Sequence, residues 1–195
     1  MVSPNKTSDN LSRSKLEHSI YSSRDARDSI RSPGRNNDDI DGSLLYLIRN
    51  IFKEILAVES GLEIAKKELA VRVDFTLAGA FNFFTGYSQS RITAEELLTG
   101  LDRLGVMCDI NDVRLLVERY DADRDQRLGF WEFSNSLLPV DTLVRDDLER
   151  RKANFEISYE TKELLRRVFR KLIDSENIIE HLRQRIAKES HVQLR

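Results

Sequence analysis

Four carboxylates recur at regular positions within one short segment of the sequence. Residues 121–132 read D-A-D-R-D-Q-R-L-G-F-W-E, which places Asp121, Asp123 and Asp125 at positions 1, 3 and 5, and Glu132 at position 12. Calcium is a hard cation that takes about six to eight oxygen ligands, and a twelve-residue loop supplies them from alternate positions and from its last residue. These residue types at this spacing therefore predict a site for one Ca²⁺ ion.

The number of available ligands is sufficient for a single ion. Three monodentate aspartates, a bidentate Glu132, the main-chain carbonyl of Arg127 and a water near Gly129 give about seven oxygens. The alternative is a solvated turn, since Asp is common wherever chains bend. Two features favour the loop: the apolar-faced segment 113–120 leads into it, and Leu128 provides an aliphatic side chain at position 8.

Two features weaken the predicted site. Gln126 stands at position 6, where a sharp turn with positive φ favours glycine, and a side chain there costs about 1 kcal/mol. Arg124 and Arg127 lie within the loop and offset part of its negative charge. We therefore expect modest affinity, nearer that of a weak sensor than that of a tight buffer.

A second segment, residues 85–96, has the same outline without the acidic ligands. Its aliphatic residue at position 8 is Ile92, and the spacing to Leu128 is 128 − 92 = 36 residues. Glu96 is the one carboxylate at a ligand position, and the other ligand positions hold Thr85, Tyr87, Gln89, Arg91 and Thr93. One carboxylate cannot hold calcium well. Thr93 and Glu96 also form a T-x-x-E capping box, which explains both residues without a metal.

Long amphipathic helices are predicted on both sides of these loops. The first covers residues 43–72, with Ser43 as its N-cap, and its apolar residues recur three and four apart: Ile48, Ile51, Ile55, Val58, Leu62, Ala65 and Leu69. The second covers residues 158–190, capped by Ser158, with apolar residues seven apart: Leu165, Leu172, Ile179 and Ile186. We expect these helices to pack on each other, on the middle region or on another protein.

Shorter helices are predicted next to each loop. One spans residues 75–84, the next ends at Gly105, and a third is capped by Asp109. A last short helix follows Asp125 and ends before Pro139. It contains three aromatic residues, Phe130, Trp131 and Phe133, which either form a binding surface or, as we expect, belong to the core. Residues 139–157 are interpreted as a linker.

Taken together, residues 75–138 resemble one EF-hand pair of the calmodulin superfamily, with a degenerate first loop at 85–96 and a near-standard second loop at 121–132. In such pairs the aliphatic residues at position 8 meet in a short antiparallel bridge, which implies that Ile92 lies opposite Leu128. The flanks, L-x-x-V-F-R-K-L-I-D-S-E-N-I-I-E-H-L-R-Q-R and the helix that leads into V-R-V-D-F, resemble those of EF-hand proteins from ciliated and flagellated single-celled eukaryotes. This resemblance implies an axonemal or cytoskeletal setting.

The composition argues against several other classes of protein. A content of 33% charged and 40% hydrophobic residues suits a globular helical chain, and the net charge of 31 − 33 = −2 provides no overall basic field for nucleic acid. No apolar run reaches the length of about 20 residues that spans a bilayer. Phosphate-binding, nucleophile and zinc motifs are absent from the sequence. We expect no enzyme, no small-molecule substrate, no nucleic acid and no membrane, and the single cysteine, Cys108, favours the cytoplasm.

Two functions agree with this pattern. The first is a non-catalytic calcium-responsive module, in which the ion reorients the helices around loop 121–132 and changes the apolar surface offered to a protein partner. The second is a structural component of a ciliary or cytoskeletal assembly, in which the fold is a calcium-independent scaffold. Residues 1–42, rich in Ser, Arg, Asn and Asp, are interpreted as a disordered arm.

Overall fold

The structure is a computed structural model that describes residues 42–86 and 90–193. Within these residues the chain forms helices and one small sheet: α1 Gly42–Ala70, α2 Leu77–Thr85, β1 Arg91–Thr93, α3 Ala94–Leu104, α4 Ile110–Tyr120, β2 Arg127–Gly129, α5 Phe130–Leu137, α6 Thr142–Glu149 and α7 Tyr159–Gln193. The prediction of a mostly helical fold is confirmed. The predicted disordered arm lies outside the described residues, apart from Gly42, which belongs to α1. In the described ranges, no helix has the length and apolar content needed to cross a membrane.

Local sequence determines where most of these helices begin and end. The Asp109 side chain accepts hydrogen bonds from the backbone N–H groups at the start of α4, and Gly105 ends α3 at φ 75°, a left-handed conformation that glycine adopts readily. At the start of α7, Ser158 Oγ accepts from Thr161 N at 3.3 Å. These three predicted ends are confirmed. The predicted N-cap at Ser43 is wrong by two residues, because α1 already begins at Gly42.

The helix α6 lies in the segment that was interpreted as a linker. Asp141 caps it by accepting from the backbone N–H of Leu143 at 3.2 Å and of Val144 at 3.4 Å, and Leu148 is buried. A helix of eight residues with one fully buried side chain shows no apolar repeat, so hydrophobic periodicity did not reveal it.

The two loops are joined by a short antiparallel sheet. In its register Arg91 lies opposite Gly129, Ile92 opposite Leu128, and Thr93 opposite Arg127. The predicted pairing of Ile92 with Leu128 is confirmed, and both side chains are fully buried. This sheet fixes the position of each loop relative to the other.

The core is built around α7, which packs lengthwise against α1 and also contacts α3 and α4. The ring of Phe169 in α7 lies 5.0 Å from the ring of Phe84 and 6.0 Å from that of Phe133, measured between centroids. The apolar sides of α2 and α5 therefore both pack on α7. The fully buried residues of its apolar stripe include Leu165, Val168, Phe169 and Leu172. The C-terminal helix is therefore an integral part of the domain.

Close approach of α2 and α3 requires a glycine. A Cβ atom placed on Gly100 would lie 2.1 Å from Cδ1 of Phe84, well inside van der Waals contact. The ring of Phe84 thus lies directly on the backbone of α3.

The aromatic residues of α5 do not all belong to the core. Phe133 is fully buried, whereas Phe130 is 45% exposed and Trp131 is 62% exposed. The prediction that Trp131 is a core residue is wrong. Successive residues of an α-helix point about 100° apart, so the orientation that buries Phe133 and Leu137 directs Trp131 outward.

The connection between α6 and α7 is bound to the start of α2. The Arg151 guanidinium donates to the carbonyl oxygens of Arg72 at 2.7 Å and Phe75 at 3.2 Å. The Thr76 hydroxyl donates to the Asn154 carbonyl at 2.8 Å and accepts from the Asn154 N–H at 3.2 Å. Residues 150–157 are therefore held on the domain surface by hydrogen bonds between side chains and backbone groups.

Candidate metal centre

The four carboxylates of loop 121–132 come from both ends of the loop and from its middle. Asp121 follows directly after α4, and Glu132 lies in the first turn of α5. Asp123 and Asp125 are exposed residues between them, and Arg127 begins β2. The helices and the strand thus hold the first, seventh and twelfth positions of the loop.

Three of these residues converge on one point. Asp121, Asp123 and Glu132 each contribute an oxygen, and these oxygens all lie within 4.8 Å of one another. Two oxygens that both bind one Ca²⁺ at about 2.3–2.6 Å are at most about 5 Å apart. The three carboxylates therefore fit a single cation of this size, and a set of oxygen donors alone suits a hard ion.

Glu132 links the beginning of the loop to its end. Its side chain is buried, and Oε1 accepts from the N–H of Ala122 at 2.8 Å and of Asp123 at 3.4 Å. Oε2 accepts from the N–H of Gly129 at 2.8 Å, at the start of α5. A carboxylate at this position consequently fixes the loop to the helix through both of its oxygens.

Backbone N–H groups of the loop are directed at the aspartates. Asp121 accepts from Gln126 N at 2.7 Å and from Asp125 N at 3.2 Å, while Asp125 Oδ1 accepts from Arg127 N at 2.9 Å. Such Asx-type bonds fold the backbone around the carboxylates. These hydrogen bonds therefore give the backbone of the loop a defined shape.

Two residues of the loop adopt a left-handed backbone conformation. Gln126 has φ 64°, as its position in the loop predicted, and Arg124 has φ 62°, which was not predicted from the sequence. Non-glycine residues adopt this region at a cost of about 1–2 kcal/mol each. The loop thus carries backbone strain at two positions.

Asp125 is not a member of the three-carboxylate group. Its Oδ2 atom accepts from the Arg91 guanidinium, which extends from β1 and also donates to Asp123 Oδ2 at 3.0 Å. In the sequence, Arg91 stands at a ligand position of the upstream loop, and its contact with the acidic loop was not predicted. The 36-residue offset between the loops, which places β1 beside β2, is the signal from which this proximity follows.

The upstream loop has the capping box that the sequence predicted. Thr93 Oγ1 accepts from Glu96 N at 3.2 Å, and Glu96 Oε2 accepts from Thr93 N at 2.9 Å. Both side chains are therefore engaged at the start of α3. Two of the other ligand positions, Tyr87 and Gln89, lie outside the described residues.

A charged cluster connects α4 to the long helices. Arg119 donates through Nη1 to Glu176 Oε1 of α7 at 2.5 Å and through Nη2 to Glu59 Oε1 of α1 at 2.8 Å. Burial raises the pKa of Glu176, while the Arg119 guanidinium acts in the opposite direction. Nearby, burial lowers the pKa of Lys66 to about 8, although Glu63 and Glu59 counteract part of this effect. The helix that leads into the loop is thus tied to α1 and α7 by one side chain.

Sequence reasoning missed this cluster, although one signal was present. Glu176 lies four residues after Leu172 and three before Ile179, which places a carboxylate on the apolar stripe of α7. A charge at such a position requires a partner when it is buried. The partner, Arg119, is distant in sequence and could not be identified from the pattern.

Three arginines that follow α6 or belong to α7 form ion pairs within the chain. Arg151 pairs with Asp147 at 2.6 Å, and Arg167 pairs with Glu68 at 2.8 Å. Arg166 pairs with Glu163. The structure therefore does not bring these side chains together as one free cationic surface.

Comparison with known proteins gives no assignment. No model of a known protein family, no curated protein and no solved structure matches this chain.

Proposed function

We propose that this chain is a non-catalytic EF-hand protein of the calmodulin superfamily that binds one Ca²⁺ ion in loop 121–132 and acts through a protein partner. Asp121, Asp123, Asp125 and Glu132 are the carboxylate ligands, and Arg127 contributes its main-chain carbonyl. The observation that supports this proposal is the convergence of three carboxylates, within 4.8 Å, between two helices.

The affinity of this site is modest. Backbone strain at Arg124 and Gln126 persists in the loop, and the two arginines inside it oppose a divalent cation. Calcium bound here neutralises the carboxylates and fixes α4 relative to α5 through Glu132. A chain of this kind serves as a regulatory or adaptor module, and the resemblance of its flanks points to a cytoplasmic partner in the cytoskeleton or the axoneme.

The test is a calcium titration of the full chain. Binding is monitored by calorimetry and by the fluorescence of Trp131, which lies next to Glu132. Wild-type protein is expected to bind one equivalent, and Glu132→Gln is expected to abolish the response because it removes a charged ligand. Glu96→Gln in the upstream loop is the matched control and should leave calcium binding unchanged. An undiminished response of Glu132→Gln would contradict the assignment of the site.

A second candidate function is a calcium-independent scaffold in a ciliary or cytoskeletal assembly. It is favoured by α7, which covers the apolar sides of α2 and α5 within the chain itself. Absence of any calcium response up to millimolar concentration would support the scaffold. Co-sedimentation with purified axonemes, compared in calcium and in chelator, separates the two: the regulatory module binds differently in the two conditions, and the scaffold binds equally.

A further inference from the structure

One arginine outside the acidic loop bridges two of its carboxylates. The Nη1 atom of Arg91 donates to Oδ2 of Asp123 at 3.0 Å and to Oδ2 of Asp125. Arg91 belongs to β1, and the sheet register places it opposite Gly129 of β2, beside the loop. Its guanidinium thus reaches positions 3 and 5 of loop 121–132 from the neighbouring strand.

We propose that Arg91 is a built-in competitor of the metal ion: its guanidinium holds Asp123 and Asp125 in the metal-free protein and is displaced when calcium binds. This inference rests on the proposed function of the loop, and it identifies a residue outside the loop that lowers the affinity of that site.

The hydrogen bonds of the two aspartates support direct competition. Both carboxylate oxygens of Asp125 accept a hydrogen bond: Oδ1 accepts from Arg127 N at 2.9 Å, and Oδ2 accepts from Arg91. Asp123 is engaged similarly, through Oδ1 to Asp125 N at 3.3 Å and through Oδ2 to Arg91. A calcium ion that binds Oδ2 of either aspartate therefore competes with the Arg91 guanidinium for the same oxygen.

The local charge makes the competition effective. The four carboxylates of the loop and the two arginines inside it sum to −4 + 2 = −2, and Arg91 reduces this to −1. An arginine keeps its charge at every pH in which the protein folds. The positive charge of Arg91 is therefore present at every pH of interest. Only the concentration of calcium or of salt shifts the equilibrium between the ion pairs and the bound ion.

The size of the effect follows from the exposure of the pair. Arg91, Asp123 and Asp125 all remain partly accessible to solvent, and ion pairs of this kind are individually weak. Two such pairs correspond to about two- to thirtyfold in affinity. We expect Arg91→Gln to bind calcium about tenfold more tightly than wild type.

The experiment is calorimetric titration of the full chain with calcium chloride at constant ionic strength. Arg124→Gln is the matched control: it removes one positive charge from the same loop, but Arg124 forms no ion pair in the described residues. Its affinity should rise by no more than about threefold, because only the long-range field changes. Equal gains in the two variants, or a loss of affinity in Arg91→Gln, would overturn the inference.

A second measurement needs no substitution. Nitrogen-15 NMR of the Arg91 guanidinium in the wild-type chain reports restricted rotation while it is paired, and calcium is expected to release it. A guanidinium that stays paired at saturating calcium would show that no displacement occurs. Absence of calcium binding in the wild type, Arg91→Gln and Arg124→Gln together would instead overturn the proposed function, so the two failures are distinct.

Discussion

Gln126 occupies a backbone conformation that glycine adopts at lower cost. Its φ is 64°, and its side chain is exposed, so no packing is lost when it is removed. We expect Gln126→Gly to increase the free energy of unfolding by about 1 kcal/mol and to tighten calcium binding, because the strain of the left-handed conformation disappears. Urea denaturation measures the first effect. Ala122→Gly, at a loop residue without positive φ, is the control and should be neutral or destabilising.

Lys66 is a buried amine whose pKa is lowered to about 8, chiefly by burial. In the unfolded chain Lys66 keeps its proton up to about pH 10.5. Between pH 8 and pH 10.5 the unfolded state therefore binds more protons than the folded state. The free energy of unfolding should therefore rise from pH 8 to pH 10.5, by at most about 3 kcal/mol.

The contribution of Lys66 is isolated by difference. Urea denaturation at several pH values is compared between wild type and Lys66→Met, and the variant should lose this rise. Lys53→Met, at an exposed position of the same helix, should retain it. The same slope in all three proteins would show that Lys66 keeps its ordinary pKa.

At the scale of elements, Arg119 is the connection between α4 and the two long helices. Arg119→Met leaves Glu176, which is 4% exposed, without its partner, and such a loss costs about 3–5 kcal/mol. The double variant Arg119→Met with Glu176→Met should recover most of the stability, because it removes both charges. Arg114→Met, at an exposed position of α4, is the control and should change stability by less than about 0.5 kcal/mol. Thermal and urea unfolding measure all three.

The elements show which features a sequence predicts well. The capping box of Thr93 and Glu96 could be predicted from the sequence, because it depends on two residues that are three positions apart. The left-handed conformation of Gly105 could be predicted as well, because a single residue type indicates it. The apolar stripes of α1 and α7 were equally clear, because burial on one face imposes a repeat. Arg91 and Asp123 are 32 residues apart, and Arg119 and Glu176 are 57 apart. The first contact follows from the 36-residue offset that places β1 beside β2, whereas the second depends on the tertiary arrangement of α4 and α7, which no pattern in the sequence encodes.

At the scale of the whole molecule, the sequence left the role of the long helices open. The predicted stripe of α7 was compatible with packing on α1, on the middle region or on another protein. In the structure it meets α1 and the rings of Phe84 and Phe133 at once, through residues such as Phe169. The candidate loop therefore belongs to a domain whose core extends from α1 to α7. Helix amphipathicity alone cannot distinguish these arrangements, because it states that a face is buried and not what covers it.

The binding of residues 150–157 to α2 has a consequence for proteolysis. Arg150, Arg151 and Lys152 are three adjacent sites for trypsin, yet a protease requires an extended segment that has left the domain surface. We expect limited digestion of the native chain to be slow at these bonds. Thr76→Val removes the hydroxyl that binds Asn154 and should accelerate cleavage there. Thr93→Val, which removes a helix cap elsewhere, should not, and mass spectrometry of the fragments distinguishes the sites.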